Sequence, residues 1–454
     1  EVKLALRIES EADYEKIKSV QVRFWTDDVG EMSADMQLTD EKWIGPKGEG
    51  TRINRFELTA NMPANGGVLW YYFRVEVEGP EGEETVFYGN KDSKTGGEGV
   101  MKDCEPESFQ ITIYRHEPVP EWFKEGIVYQ IFPDRFARDE GWKERCEAVI
   151  RAEEEAGHKG QAKALEEDWY RTAYYGKDED GNVVTWPFYG GSFKGMQEKL
   201  DYLTSMGVTV IYLNPIFKAS SNHRYDTCDY MTVDPMLGTD EEFVEFAQAA
   251  REKGIRLILD GVFSHVGADS IYFDKYGNYG DRGAFNNEDS QYRDWFEFRD
   301  EEEDPVGYRS WWGIRDLPEV NEYEESFRRL ICGERGVLAK WLRAGASGFR
   351  LDVADELPDS FIAEIRDRLK KEDEDNLLLG EVWEDASNKI SYGERRKYFM
   401  GDELDSTMNY PLRSILMDYV RGDMASAEAG ERLMSLKENY PRENFYGALN
   451  LIGS

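Results

Sequence analysis

The chain has 454 residues, enough for two or three domains with sizeable cores. Lys and Arg total 56 against 92 Asp and Glu, a net charge of −36, which argues against nucleic acid and anionic membrane surfaces as main partners. Aromatics at 13% leave rings for flat ligands, and no apolar run reaches the length of a membrane span.

Residues 1–116 read as β-structure. SVQVRFW (19–25) alternates Val20, Val22 and Phe24, while LWYYFRVEV (69–77) and FQITIY (109–114) alternate or run aromatic. Gly- and Asp-rich turns separate them, which predicts a β-sandwich of short strands. HEPVPEW (116–122) then sets two prolines in a short linker.

Past the linker the pattern changes. GIVYQIF (126–132) predicts a short apolar strand, followed by a long charged stretch, 137–188, that is helical in part (KERCEAVIRAEEEAG). KGMQEKLDYLTSMG (194–207) predicts a helix leading into strand VTVIYLNP (208–215). TDEEFVEFAQAAREKG (239–254) predicts another, with Thr239 as N-cap and Gly254 as C-cap, leading into strand IRLILD (255–260). Residues 266 to about 325 are rich in Gly, Tyr and Trp and lack a helix period, which suggests an inserted subdomain. Strands GFRLD (348–352) and NLLLGEVW (376–383) follow, each beside a helical stretch. Short apolar strands alternating with helices predict an α/β fold with a parallel sheet covered by helices. A (β/α)₈ barrel and a doubly wound sheet both fit, and the length favours the barrel. Cys104, Cys146, Cys228 and Cys332 are far apart, without CxxC pairing, and read as free thiols in a reducing, cytoplasmic setting.

Polar residues gather where these strands end, which in a barrel is where an active site forms. IRLILD ends in Asp260, followed by GVFSH with His265. GFRLD carries Arg350 and Asp352, LLLGE ends in Glu381, and VTVIYLNP leads into SNHRYDTCDY with His223 and Tyr225. A single acid at a strand end is ordinarily a helix cap or a solvated loop residue; the grouping is what carries weight. Glycoside hydrolysis with retention needs two carboxyl groups about 5–5.5 Å apart, one ionised and one protonated. Arg350, two residues before Asp352, shares its strand face and should lower the Asp352 pKa, as suits a nucleophile. Glu381 has no basic neighbour in sequence, and Val382 and Trp383 should desolvate it and keep its pKa up, as suits an acid/base.

DGVFSH (260–265), GFRLDVADE (348–356) and EVWE (381–384) resemble, in order and spacing, the first three signature regions of the α-amylase superfamily of glycoside hydrolases. GVTVIYLNP (207–215), YDTCDY (225–230) and LPEVN (317–321) resemble its second-strand region, the loop after it and the motif near the end of the inserted subdomain. Together with PEWFKEGIVYQIFPDRF (120–136), the form is most similar to the neopullulanase, cyclomaltodextrinase and maltogenic amylase group.

The resemblance implies a (β/α)₈ barrel over 117–454, C-terminally incomplete, with the subdomain at about 266–325 and an N-terminal, carbohydrate-binding-like β-sandwich over 1–116. It implies a retaining hydrolase of cyclodextrins, pullulan or malto-oligosaccharides, with transglycosylation alongside. The alternatives are an α-1,6-glucosidase of the superfamily and a non-catalytic carbohydrate-binding homologue. Asp352 would be the nucleophile, Glu381 the acid/base, and Arg350 the residue that orients and ionises Asp352. His265 and His223 would bond hydroxyls of the sugar at the cleaved position, Tyr225 would stack beneath it, and Asp260 would support the site. Glu356 and Trp383 would line the acceptor side.

A homodimer is implied, with no cofactor. Calcium is not expected either: RFARDEGWKER (135–145) lacks the Asn/Asp-rich form of a calcium loop, and Ser192, not Asp, follows Gly190 and Gly191. KDEDGN (177–182) reads as a bare turn. Ser264 stands where the family has Asn, which should alter the hydrogen bonding behind the site. ALNLIGS (448–454) resembles the start of a fourth region, whose His-Asp pair would follow Ser454.

Overall fold

Alternation in the N-terminal strands becomes alternation of burial. In the strand Lys16–Thr26, Val20, Val22 and Phe24 are buried and the residues between them are not. This strand pairs antiparallel with Gly67–Gly79 in a six-stranded sheet. A three-stranded sheet is formed by Val2–Glu11, Thr51–Ala60 and Gln37–Ile44. Leu4, Leu6 and Phe56 from this sheet share one core with Val22, Phe24, Phe73 and Val75 from the other, as expected of a sandwich. The computed structural model that shows this describes residues 1–11, 16–45, 50–62, 66–79, 82–300 and 304–453.

The chain divides into two compact units. The first comprises Glu1–Pro118, Trp383–Asp402 and Asn409–Ser454; the second comprises Val119–Val382 and Glu403–Met408. The division expected at residue 116 marks where the chain leaves the sandwich, but packing adds two later segments to the same unit. Inside that unit Asn388 donates to Gln110 Oε1 at 2.6 Å and Arg395 donates to Asp27 at 2.6 Å, so polar side chains carry the attachment.

The second unit is built on six parallel strands hydrogen-bonded in chain order: β1 (Val128–Ile131), β2 (Val210–Leu213), β3 (Arg256–Gly261), β4 (Gly348–Leu351), β5 (Leu377–Gly380) and β6 (Ser406–Thr407). β2, β4 and β5 are buried along their whole length, which explains their continuous apolar sequences. Sequential parallel order is that of a (β/α)₈ barrel, of which these are six consecutive staves; a doubly wound sheet would reverse its strand order part-way.

Helix α1 (Asp240–Glu252) joins β2 to β3 and buries Phe243, Phe246, Ala247 and Ala250, the i, i+3, i+4, i+7 stripe of one helical face. Thr239 and Glu242 form a reciprocal capping box, with bonds of 3.2 and 3.1 Å. Gly254 lies just beyond the last turn at φ +76°, a conformation that only glycine adopts freely. The helix expected over 194–207 is instead two short ones, Phe193–Glu198 and Leu200–Ser205. They meet at Lys199, and Phe193, Met196, Leu200 and Leu203 are all buried.

Of the interrupting segments, 137–188 contains the helix Trp142–Glu155. The segment 266–325, of which 301–303 lie outside the described residues, holds only two single-turn helices, Arg293–Trp295 and Trp311–Gly313. Packed rings replace secondary structure there: Phe273 contacts Phe285, Phe296, Phe298 and Tyr308 within 4.7–5.9 Å. Among the described residues no helix is long and apolar enough to cross a membrane.

Candidate active site

Side chains alternate between the faces of a strand, so residues level with one another on adjacent parallel strands share a face. Asp260 on β3 is level with Arg350 on β4, which is level with Leu379 on β5. Two residues further along, Asp352 and Glu381 stand side by side past the ends of neighbouring strands. Adjacent strands lie about 4.8 Å apart. The register itself therefore brings these two carboxyl groups near the separation of about 5–5.5 Å that a double displacement at a sugar carbon needs.

Arg350 ties the cluster together. Its Nη1 donates to Asp260 Oδ1 at 2.7 Å and to Asp352 Oδ1 at 2.6 Å, and its Nη2 lies 2.8 Å from Glu381 Oε2. The shared face of Arg350 and Asp352 follows their period-two spacing. Glu381 has no basic neighbour in sequence, and strand adjacency supplies the cation that local sequence lacks. Val353, directly after Asp352, has φ +39°, a strained conformation for a β-branched residue. That turn aims its N–H at Glu381 Oε2, 2.9 Å away.

Burial decides the Asp352 carboxyl. It pushes the pKa up to about 7, against Arg350, which pulls it down, with the Asp260 and Glu381 charges adding to the rise. The expectation that Arg350 would leave Asp352 below the ordinary range is therefore corrected: one cation serves three carboxyl groups. Asp260 is also raised, by burial first. Burial works against the Arg350 charge as well, but Asp260 and its neighbours outweigh it and keep the guanidinium protonated.

Around this cluster lie the aromatic and imidazole groups. Tyr212 and Tyr225 donate their hydroxyls to Asp260 Oδ2 at 2.6 and 3.0 Å, and Asn214 donates to the Tyr225 hydroxyl at 2.8 Å. Asp260 is thus a buried hub, in keeping with a supporting place. The Tyr225 N–H donates to His223 Nδ1 at 3.1 Å, so the neutral imidazole carries its proton on Nε2. Burial lowers the His223 pKa and favours that neutral form. Trp186, from the 137–188 segment, packs edge-on against His223 at 4.8 Å.

His265 is 1% exposed, and burial pushes its pKa down to about 4. Its Nε2 lies 3.1 Å from the Tyr225 carbonyl and its Nδ1 2.9 Å from Ser264 Oγ. Both ring nitrogens are thus engaged within the protein, in contrast to the expected sugar contact. Ser264 is thus a hydrogen-bond partner of the imidazole. Glu356 Oε1 accepts from Trp312 Nε1 at 3.3 Å. Trp383 belongs to the other compact unit, where it stacks flat on Tyr410 at 4.0 Å. In 177–182, Asp178 Oδ1 accepts from the backbone N–H groups of Asp180 and Asn182 and Oδ2 from the Asn182 side chain, closing the turn on itself.

Tyr212, Asn214 and Trp186 were not singled out from sequence. Tyr212 and Asn214 carried a signal, since they are two residues apart at the end of strand VTVIYLNP. Trp186 carried none.

Residues 130–444 match the family described as alpha amylase, catalytic domain. The chain is 32% identical to an amylopullulanase of Thermoanaerobacterium saccharolyticum, across 99% of its own length and 36% of that protein's. It is 31% identical to neopullulanase 2 of Thermoactinomyces vulgaris, across 90% of its own length and 62% of that protein's. It thus spans about a third of the first relative and less than two thirds of the second. The solved ligand-free cyclic α-maltosyl-(1→6)-maltose hydrolase of Arthrobacter globiformis superposes with a TM-score of 0.59 at 29% identity, covering 74% of this chain and 66% of that one.

Proposed function

Because the chain belongs to the α-amylase family of glycoside hydrolases, we propose that it cleaves α-glucans with retention of configuration, at α-1,4 bonds and at α-1,6 bonds of pullulan-type or cyclic chains. The observation that carries this reading is the Arg350 fork, which holds Asp352 and Glu381 on separate nitrogens. In the first step an Asp352 oxygen attacks the anomeric carbon while Glu381 gives its proton to the glycosidic oxygen. The carbon–oxygen bond to the leaving sugar breaks, and a glycosyl ester on Asp352 forms. In the second step water attacks the same carbon, Glu381 takes its proton, and the Asp352 carboxylate leaves.

Arg350 serves both steps. The chemistry needs Asp352 ionised, and the guanidinium beside it favours that carboxylate against burial. Once Asp352 is esterified and Glu381 has lost its proton, the same guanidinium steadies the Glu381 carboxylate. Tyr225 would form the floor beneath the sugar at the cleaved bond, and His223 would offer Nε2–H to one of its hydroxyls. His265 acts through the Tyr225 carbonyl, as a positioning residue. Glu356 would line the acceptor side.

Azide rescue tests the two roles. With α-maltosyl fluoride as donor, azide should rescue Glu381→Ala to an α-maltosyl azide and Asp352→Gly to a β-maltosyl azide, read by NMR. The reverse configurations would overturn the assignment.

The first unit is proposed to hold glucan as well. It contains a cavity of about 470 Å³ lined by Trp25, Trp70, Asn90, Gln110, Asn388 and Arg395, a mixture of rings and amides suited to a neutral polyol. A homodimer is proposed too, to be read as twice the chain mass by light scattering. The four free thiols, three of them buried, accord with a cytoplasmic setting and a place in intracellular starch breakdown.

A further inference from the structure

A tryptophan pair that the mechanism above does not use lies beside the catalytic cluster. Residues 310–318 form a tight loop, with the Trp311 N–H donating to Leu317 O at 2.9 Å and the Ile314 N–H to Trp311 O at 2.9 Å. The loop is strung along the segment that carries His265: Val266 N–H donates to Pro318 O at 3.1 Å, Ala268 N–H to Asp316 O at 2.9 Å, and Val320 N–H to Ser264 O at 3.0 Å. Its position is thereby set by the segment leaving β3.

At its tip Trp312 adopts φ +52°, ψ 27°, a left-handed conformation that is strained for a tryptophan. The residue is nevertheless 79% exposed. The strain therefore gains no burial for the largest apolar side chain there is. The ring stacks on Trp311 at 5.4 Å and 26°, and Trp311 lies at 5.3 Å and 33° from His265. The Trp312 Nε1–H donates to Glu356 Oε1 at 3.3 Å, on the turn that follows Asp352. The two rings thus bridge the segments leaving β3 and β4, with one face of the ladder presented to solvent and the other joined to the imidazole that positions Tyr225.

A strained, oriented and exposed indole beside a site for neutral polyols has the form of a sugar-stacking surface. We propose that Trp312, backed by Trp311, is the platform that holds an acceptor glucan and so determines whether the glycosyl group on Asp352 passes to sugar or to water. The inference rests on the hydrolase reading above and adds to it a residue that partitions the second step. The acceptor's hydroxyl oxygen attacks the anomeric carbon, its proton goes to Glu381, and the bond from that carbon to Asp352 breaks. The products are a new glycosidic bond and the free carboxylate, with no further reactant. The acceptor side is assigned because the indole is tied to the Glu356 turn.

The test uses Trp312→Gly, which removes the ring and relieves the backbone, and Trp312→Phe, which keeps a ring. With 4-nitrophenyl α-maltoside as donor and added maltose as acceptor, Trp312→Gly should lower the ratio of transfer to hydrolysis about fivefold to tenfold. Nitrophenol release without maltose should change less than twofold, because that substrate has no sugar on the acceptor side. Trp312→Phe should restore most of the transfer. An unchanged transfer ratio, or a fall in nitrophenol release as large as the fall in transfer, would overturn the proposal. Quenching of tryptophan fluorescence by maltose, present in the native chain and lost in Trp312→Gly, reads the platform without turnover. Quenching without any nitrophenol release would count against the hydrolase reading and leave the platform standing; no Trp312-dependent quenching would count against the platform.

Discussion

Asp352 sits between burial, which disfavours its charge, and Arg350, which favours it, and burial prevails, pushing the pKa up to about 7. A nucleophile must be ionised, so its share of the activity is lost as pH falls through the folded-state pKa. The acid limb of kcat/KM against pH should therefore lie well above 3.8, the ordinary aspartate value, and approach 7. A limb below 4 would show that Arg350 governs instead. The pairing of Arg350 with Asp352 was legible from spacing, because a strand returns to the same face every second residue. The opposite sign of the pKa shift was not legible. It depends on how many carboxyl groups share the cation and on how little water reaches them, and both are consequences of neighbouring strands.

At the scale of the element, α1 was read in full because its signals are local: Thr239, Glu242, the apolar stripe and Gly254 lie within one short stretch. Thr239→Ala should cost about 1 kcal/mol in a denaturant titration. Its kcat should stay unchanged, since the cap touches none of the residues around Arg350. The 194–207 segment was misread as one helix for the converse reason. Its local pattern is helical throughout, with Phe193, Met196, Leu200 and Leu203 buried on one face, and the interruption at Lys199 has no local signal. The 310–318 loop was opaque, because its shape comes from backbone bonds to 264–268 and from a left-handed tryptophan that no periodicity signals.

For the whole molecule, five of the six parallel staves and an N-terminal sandwich followed from the alternation of apolar runs with helices and from the turn-separated β pattern, while the two-residue stave Ser406–Thr407 carried no signal. The membership of each compact unit did not follow, because residues 383–402 and 409–454 join the sandwich through contacts made across hundreds of residues. The cavity with Trp25 and Trp70 arises from that joining, since Asn388 and Arg395 complete its wall. Trp25→Ala should weaken retention on immobilised amylose several-fold while hydrolysis of 4-nitrophenyl α-maltoside is unchanged. Equal retention would count against glucan binding there. By itself the sequence determined the fold class, the family and the signature stretches that carry the proposed acid pair, because these rest on short-range periodicity and on residue types that the chemistry requires. Only the tertiary structure decided that Arg350 holds both Asp352 and Glu381, that His265 turns inward to Tyr225, and that a strained tryptophan stands beside the site. Each of these depends on contacts between different strands or loops, set by strand register and burial.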